Sequence, residues 1–153
     1  MEEDRIQKAV ELFKSGYNCS QSVVAAFADM YGFTQEQALR MAASFGGGIG
    51  RMRETCGAAC GLFLVAGLKT GATVAADREG KAANYAVVQE LAAEFKKRNG
   101  SLICAELLGL KKKEPVSTIP EERTAQYYSK RPCAKMVEEA ARIWVEYLEK
   151  HPK

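Results

Sequence analysis

Ile6, Ala9, Val10 and Phe13 fall three or four positions apart with charged residues between them, which predicts an amphipathic helix ending at Gly16. The same period continues. A second helix is expected from Cys19 to about Tyr31, with Asn18 as N-cap and Gly32 closing it. Thr34 with Gln37 three residues later reads as a capping box opening a third, which fades at Gly46. After a glycine-rich linker, 46–54, a fourth helix is expected from an N-cap at Thr55 to about Lys69, with Gly71 as C-cap. The fifth is the longest, roughly Ala76 to Arg98, with Tyr85, Val88, Leu91 and Phe95 on one side and Asn99-Gly100 stopping it. A short sixth is capped by Ser101 and ended by Gly109. Pro115 and Pro120 break the stretch that follows, and Pro120-Glu121-Glu122 resembles the first turn of another short helix. The last helix opens around Pro132 and runs to about Glu149, with Met136, Ala140, Ile143, Trp144 and Tyr147 as its apolar face. Strand patterns are almost absent. The expected fold is all-α, an antiparallel bundle of about six to eight helices including short ones, forming a single domain over 1–153.

Composition narrows the function classes. The chain has 153 residues, 47% hydrophobic and 27% charged, enough to bury a core without disulfides. Twenty-two basic against 19 acidic residues give a net charge of +3, too balanced to suggest nucleic acid as a partner. The basic runs Lys96-Lys97-Arg98 and Lys111-Lys112-Lys113 read as solvated helix ends. The start, MEEDRIQKAV, is acidic where a signal peptide is basic, and the richest apolar run, Leu62 to Leu68, is too short to cross a bilayer. A cytoplasmic protein with no membrane insertion is expected, its cysteines reduced at rest. The one histidine, His151, lies at the C-terminal end, so no Cys-His pair and no mixed His/Cys zinc site is expected. Gly46 to Gly50 lacks the Lys-Ser/Thr of a phosphate-binding loop.

The five cysteines carry the chemistry. Cys19, Cys56, Cys104 and Cys133 all fall in the expected first turn of a helix. There the unpaired backbone N–H groups and the positive end of the dipole favour thiolate, the nucleophile and metal ligand. Helix order also puts the four at one end of an up-down bundle, since they open alternate helices. Cys60, one turn beyond Cys56, reads as a packing residue. Cβ atoms at i and i+4 stand roughly 5–6 Å apart, whereas a disulfide wants about 3.8 Å.

Cys56-Gly57-Ala58-Ala59-Cys60-Gly61, with one cysteine well upstream and two downstream, resembles the family of small redox-active proteins known for a C…CGAxxG…C…C pattern. The resemblance covers nearly the whole chain and maps the signature cysteines onto Cys19, Cys56, Cys104 and Cys133, with Cys60 on a variable position. It implies redox function without fixing a reaction. Gly57 and Gly61 each cost up to about 1 kcal/mol of helix stability relative to Ala, so another backbone or a bound cofactor is expected to approach closely there. Gly46 to Gly50, with Arg51 and Arg53, reads either as an anion cradle that lowers thiol pKa values or as a plain connector.

Three functions compete. In thiol redox chemistry Cys56 is the expected attacker and its partner is distant in sequence; four cysteines allow three pairings. In the second, Cys19, Cys56, Cys104 and Cys133 hold an iron–sulfur cluster or Zn²⁺ as an all-sulfur ligand set. In the third the cysteines merely pack, and Tyr127, Tyr128 and Trp144 are candidates for a partner surface, with core packing the preferred reading of Trp144. A redox partner of unspecified identity and a homodimer complete the expectations.

Overall fold

In the computed structural model the described residues are 2–110 and 117–152, without the side chains of Glu2 and Lys130. Lys111-Lys112-Lys113 and Pro115 lie outside them. Among the described residues eight α-helices follow in order: α1 (Glu2–Lys14), α2 (Cys19–Phe27), α3 (Gln35–Ala42), α4 (Gly57–Thr70), α5 (Arg78–Asn99), α6 (Cys104–Leu108), α7 (Ala125–Lys130) and α8 (Cys133–Lys150). Short 3-10 turns extend α2 and α3, Ala28–Tyr31 and Ala43–Phe45. The protein is an all-α helical bundle. Among the described residues, β pairing is confined to one antiparallel bridge, Thr55 to Ile103, and no helix is long and apolar enough to cross a membrane.

The expected N-cap Asn18 and the expected capping box at Thr34 are present, and Asn18 forms a box of its own with Gln21. The Asn18 side chain accepts from the Gln21 N–H at 2.8 Å while the Gln21 side chain accepts from the Asn18 N–H at 3.1 Å. Thr34 and Gln37 repeat the exchange. Each box satisfies N–H groups that a helix start otherwise leaves open, so α2 and α3 begin where the sequence places them.

The bridge displaces two other starts. Thr55 is tied to Ile103, so the cap of α4 falls to Cys56, one residue later than expected. Opposite, the Ser101 hydroxyl accepts from the Ile103 N–H at 2.9 Å in a local turn, and Ile103, not Ser101, caps α6. The helix expected near Pro120 instead begins at Ala125 behind the cap Thr124. Arg123 explains the delay: its guanidinium donates to the Phe13 and Tyr17 carbonyls at 2.8 and 2.9 Å and draws its segment across the end of α1. The longest helix, α5, starts at Arg78 under the cap Asp77. On α5, Leu91 and Phe95 are buried, but Tyr85 is 61% exposed. At 1.5 Å per residue α5 spans roughly 33 Å and α4 roughly 21 Å, so the first turns of α5 outrun the neighbour they pack on.

The helix α4 is apolar almost all round, as a helix packed on several sides must be. It contacts α2, α5 and α8, while α1 lies along α8 and α2. Trp144, Phe13, Phe27, Phe95 and, on α4 itself, Leu62 are fully buried in the core. The Trp144 indole N–H donates to the Tyr31 hydroxyl at 3.3 Å, which places Trp144 in the core. Gly61 sets the α2–α4 distance: a Cβ there would stand 2.9 Å from Val23 Cβ and 3.0 Å from the Ser20 carbonyl oxygen. Gly61→Ala should therefore lower the unfolding free energy by about 1–3 kcal/mol, the usual cost of overpacking, despite the better helix propensity of alanine. Urea melts of the two proteins measure the difference.

Candidate functional site

Cys133 begins α8, Cys19 begins α2, Cys104 begins α6 and Cys56 caps α4. All four line one cavity of about 330 Å³. The structure thus brings together the four cysteines that open α2, α4, α6 and α8. Cys60 does not line the cavity; it is buried, and its thiol contacts the Thr55 carbonyl oxygen at 3.8 Å.

The β bridge holds two of them. Cys56 N–H donates to the Leu102 carbonyl and Cys104 N–H to the Glu54 carbonyl, both at 2.6 Å. Because side chains alternate along extended backbone, Cys56 and Cys104 flank the Thr55–Ile103 pair on the opposite face, toward the cavity. Two glycines make room. A Cβ on Gly48 would stand 2.6 Å from Cys104 Cβ, and one on Gly57 would stand 2.9 Å from the Phe45 carbonyl oxygen and 3.3 Å from Cys19 Cβ. The close approach expected at Gly57 and Gly61 is made by protein. At Gly57 it seats Cys19 against the start of α4, and at Gly61, which does not line the cavity, it packs α2.

The 46–54 loop is not a plain connector. Residues 47–51 all have left-handed φ, including Ile49 at 66° and Arg51 at 63°, and Arg53 follows at 63°. A left-handed non-glycine residue costs roughly 1–2 kcal/mol. The loop is held by hydrogen bonds such as Gly50 N–H to Ser44 carbonyl at 2.7 Å and Glu54 N–H to Gly48 carbonyl at 2.8 Å. Its result is to set Arg51 and Arg53 on the cavity wall. Arg53 donates to the Cys104 sulfur at 3.6 Å.

The four thiols are not equivalent. Cys19 and Cys133 are half-buried, whereas Cys56 and Cys104 are 5% and 8% exposed. A hydrogen bond from the Cys19 thiol holds the Cys133 pKa down at about 7, against the opposing effect of burial. The Arg131 charge, the Tyr127 hydroxyl and the Arg53 charge add to the lowering. The N–H groups at the start of α8 act in the same direction. The proton left on the pair sits on Cys19, whose pKa is pushed well above the ordinary thiol value by its hydrogen bond to Cys133 and by burial. Burial drives Cys56 up to about 12, outweighing the Ala58 and Ala59 N–H groups. Burial also raises Cys104 in spite of Arg53, and takes Cys60 to about 11. A place at a helix start therefore goes with a lowered pKa in one cysteine of the four. Of the four, Cys133 is the thiol whose pKa is lowered, while Cys56, expected to be the attacker, is raised by burial.

Sequence reasoning gave no weight to Tyr127 and Arg131 as site residues. Arg131-Pro132-Cys133 is a contiguous signal in the chain, a cation two residues before a helix-opening thiol. Tyr127 had no such signal: it reaches the site because α7 folds beside the start of α8. Burial and the neighbouring Cys133 charge raise the Tyr127 pKa to about 12, so it remains a hydroxyl donor. Among the described residues, no three His, Cys, Asp or Glu side chains converge to hold a metal ion.

The fold and site define a helical bundle whose helix starts gather four cysteines about one recess. The chain belongs to the family described as "Putative redox-active protein (C_GCAxxG_C_C)", whose model matches residues 17–147. The pattern in that description runs Gly-Cys-Ala, where this chain has Cys56-Gly57-Ala58. No curated protein and no solved structure matches the chain.

Proposed function

We propose that the protein carries out thiol/disulfide redox chemistry with Cys133 as attacking thiolate and Cys19 as its resolving partner. The observation that carries the reading is the Cys19–Cys133 contact: two half-buried thiols, each opening a helix, hydrogen-bonded to each other at a shared cavity. The Cys133 thiolate attacks one sulfur of a disulfide, forming a mixed disulfide and releasing the first thiolate. Cys19 then loses its proton and attacks Cys133 Sγ, displacing the second thiolate. Two electrons pass from the dithiol to the substrate, and a Cys19–Cys133 disulfide remains. The arrangement assists the second step. Once Cys133 is in a mixed disulfide its charge is gone, and with it the largest cause of the raised Cys19 pKa. Cys56 and Cys104 stay protonated in the reduced protein.

Equilibrating the native chain with a glutathione/glutathione disulfide buffer tests this. Two of the five thiols should be lost per chain and regained with dithiothreitol, and Cys133→Ser should abolish the reversible intramolecular loss. Five titratable thiols under every oxidising ratio would rule the reading out and leave the cysteines as packing residues.

A further inference from the structure

The cavity is more basic than thiol chemistry alone requires. Arg51, Arg53, Arg123 and Arg131 line it, against one carboxylate, Glu121. Two of the four cations are occupied. Arg131 is ion-paired with Glu121. Arg123 is spent on the Phe13 and Tyr17 carbonyls and lies over the Phe13 ring at 4.4 Å. Arg51 and Arg53 are different. Arg51 donates to the Ser117 carbonyl at 2.8 Å, Arg53 donates to the Cys104 sulfur, and among the described residues neither has a carboxylate partner. A guanidinium offers five N–H donors in a fork that matches a carboxylate. Both side chains are half-buried, and both hang from the left-handed stretch of the 46–54 loop, so backbone strain is spent on presenting them to the cavity.

Resting on the redox reading, we propose that the substrate is a small disulfide bearing carboxylate groups, held by Arg51 and Arg53 while its sulfur meets Cys133. The balance is that of the two steps above: one carboxylate-bearing disulfide and the Cys19/Cys133 dithiol give two carboxylate-bearing thiols and the protein disulfide. Size points the same way. At about 330 Å³ the cavity lies at the low end of the roughly 300–1,000 Å³ typical of ligand pockets. That volume admits a molecule of amino-acid or dipeptide size. The recess thus selects by charge.

The test is the rate of oxidation of the reduced chain by three small disulfides: dithiodiglycolate with two carboxylates, neutral hydroxyethyl disulfide, and cystamine with two ammonium groups. Each rate is divided by that of free mercaptoethanol with the same disulfide, which cancels leaving-group differences. At low ionic strength the normalised rate should fall in the order anionic, neutral, cationic, with about tenfold or more between the first two. In Arg51→Met the anionic-to-neutral ratio should drop severalfold. In the unaltered protein, 1 M NaCl should shrink the same ratio, a readout that does not depend on the variant folding. Equal normalised rates, or a preference for cystamine, would overturn the inference and leave the redox reading standing. No reaction with any of the three would overturn the redox reading itself.

Discussion

Iodoacetamide should modify the native protein first at Cys133, with a rate–pH profile whose midpoint lies at about 7. At pH 7 such a thiol is about half thiolate, whereas one at the ordinary value of 9.0 is roughly one-hundredth thiolate. That is a fifty-fold advantage in population. A less basic thiolate is a weaker nucleophile, and with a Brønsted coefficient of about 0.4–0.5 two pKa units give back roughly six- to tenfold. The net expectation is modification roughly five- to eightfold faster than a free thiol. The sign follows from the lowered pKa: above the midpoint the rate is flat, and below it the rate falls as protons return to Cys133. Cys56 and Cys60, at about 12 and 11, should remain unmodified on the same timescale. Cys19→Ala removes the largest cause of the lowering and should move the Cys133 midpoint upward toward 9.0, while Cys19→Ser, which keeps a hydroxyl donor, should restore part of the shift. Mass spectrometry of the alkylated peptides across pH reads all three proteins. A Cys133 midpoint at or above 9 in the native chain would contradict the electrostatic account.

The fold was largely legible because its starts and stops are local chemistry. Asn18 with Gln21 and Thr34 with Gln37 satisfy helix-start N–H groups within four residues, so sequence alone places α2 and α3. The starts of α4 and α6 depend on Thr55 meeting Ile103 across the chain, and α7 on Arg123 reaching Phe13 and Tyr17; no local pattern records those contacts. The site divides the same way. That Cys19, Cys56, Cys104 and Cys133 lie at helix starts could be read to within a residue or two, and helix order already pointed them to one end. Their ranking could not. The dipole argument applies alike to Cys56 and Cys133, and what separates them is burial, a Cys19 thiol and a Tyr127 hydroxyl brought in by other helices. Glycine shows the same limit. The sequence marks Gly57 and Gly61 as costly in a helix, but only the packed structure shows that the approaching groups are Cys19, Phe45, Ser20 and Val23.

Disulfide mapping tests most directly the claim that Cys19 and Cys133 are the reactive pair. The reduced native chain is treated with one equivalent of diamide, which takes two electrons from two thiols. Remaining thiols are blocked, the protein is digested without reduction, and cross-linked peptides are identified by mass spectrometry. The account predicts a single intramolecular Cys19–Cys133 cross-link, with Cys56, Cys60 and Cys104 recovered as blocked thiols, and no cross-link to Cys19 in Cys133→Ser. A dominant Cys56–Cys104 or Cys56–Cys60 cross-link, with Cys19 and Cys133 recovered as free thiols, would contradict it.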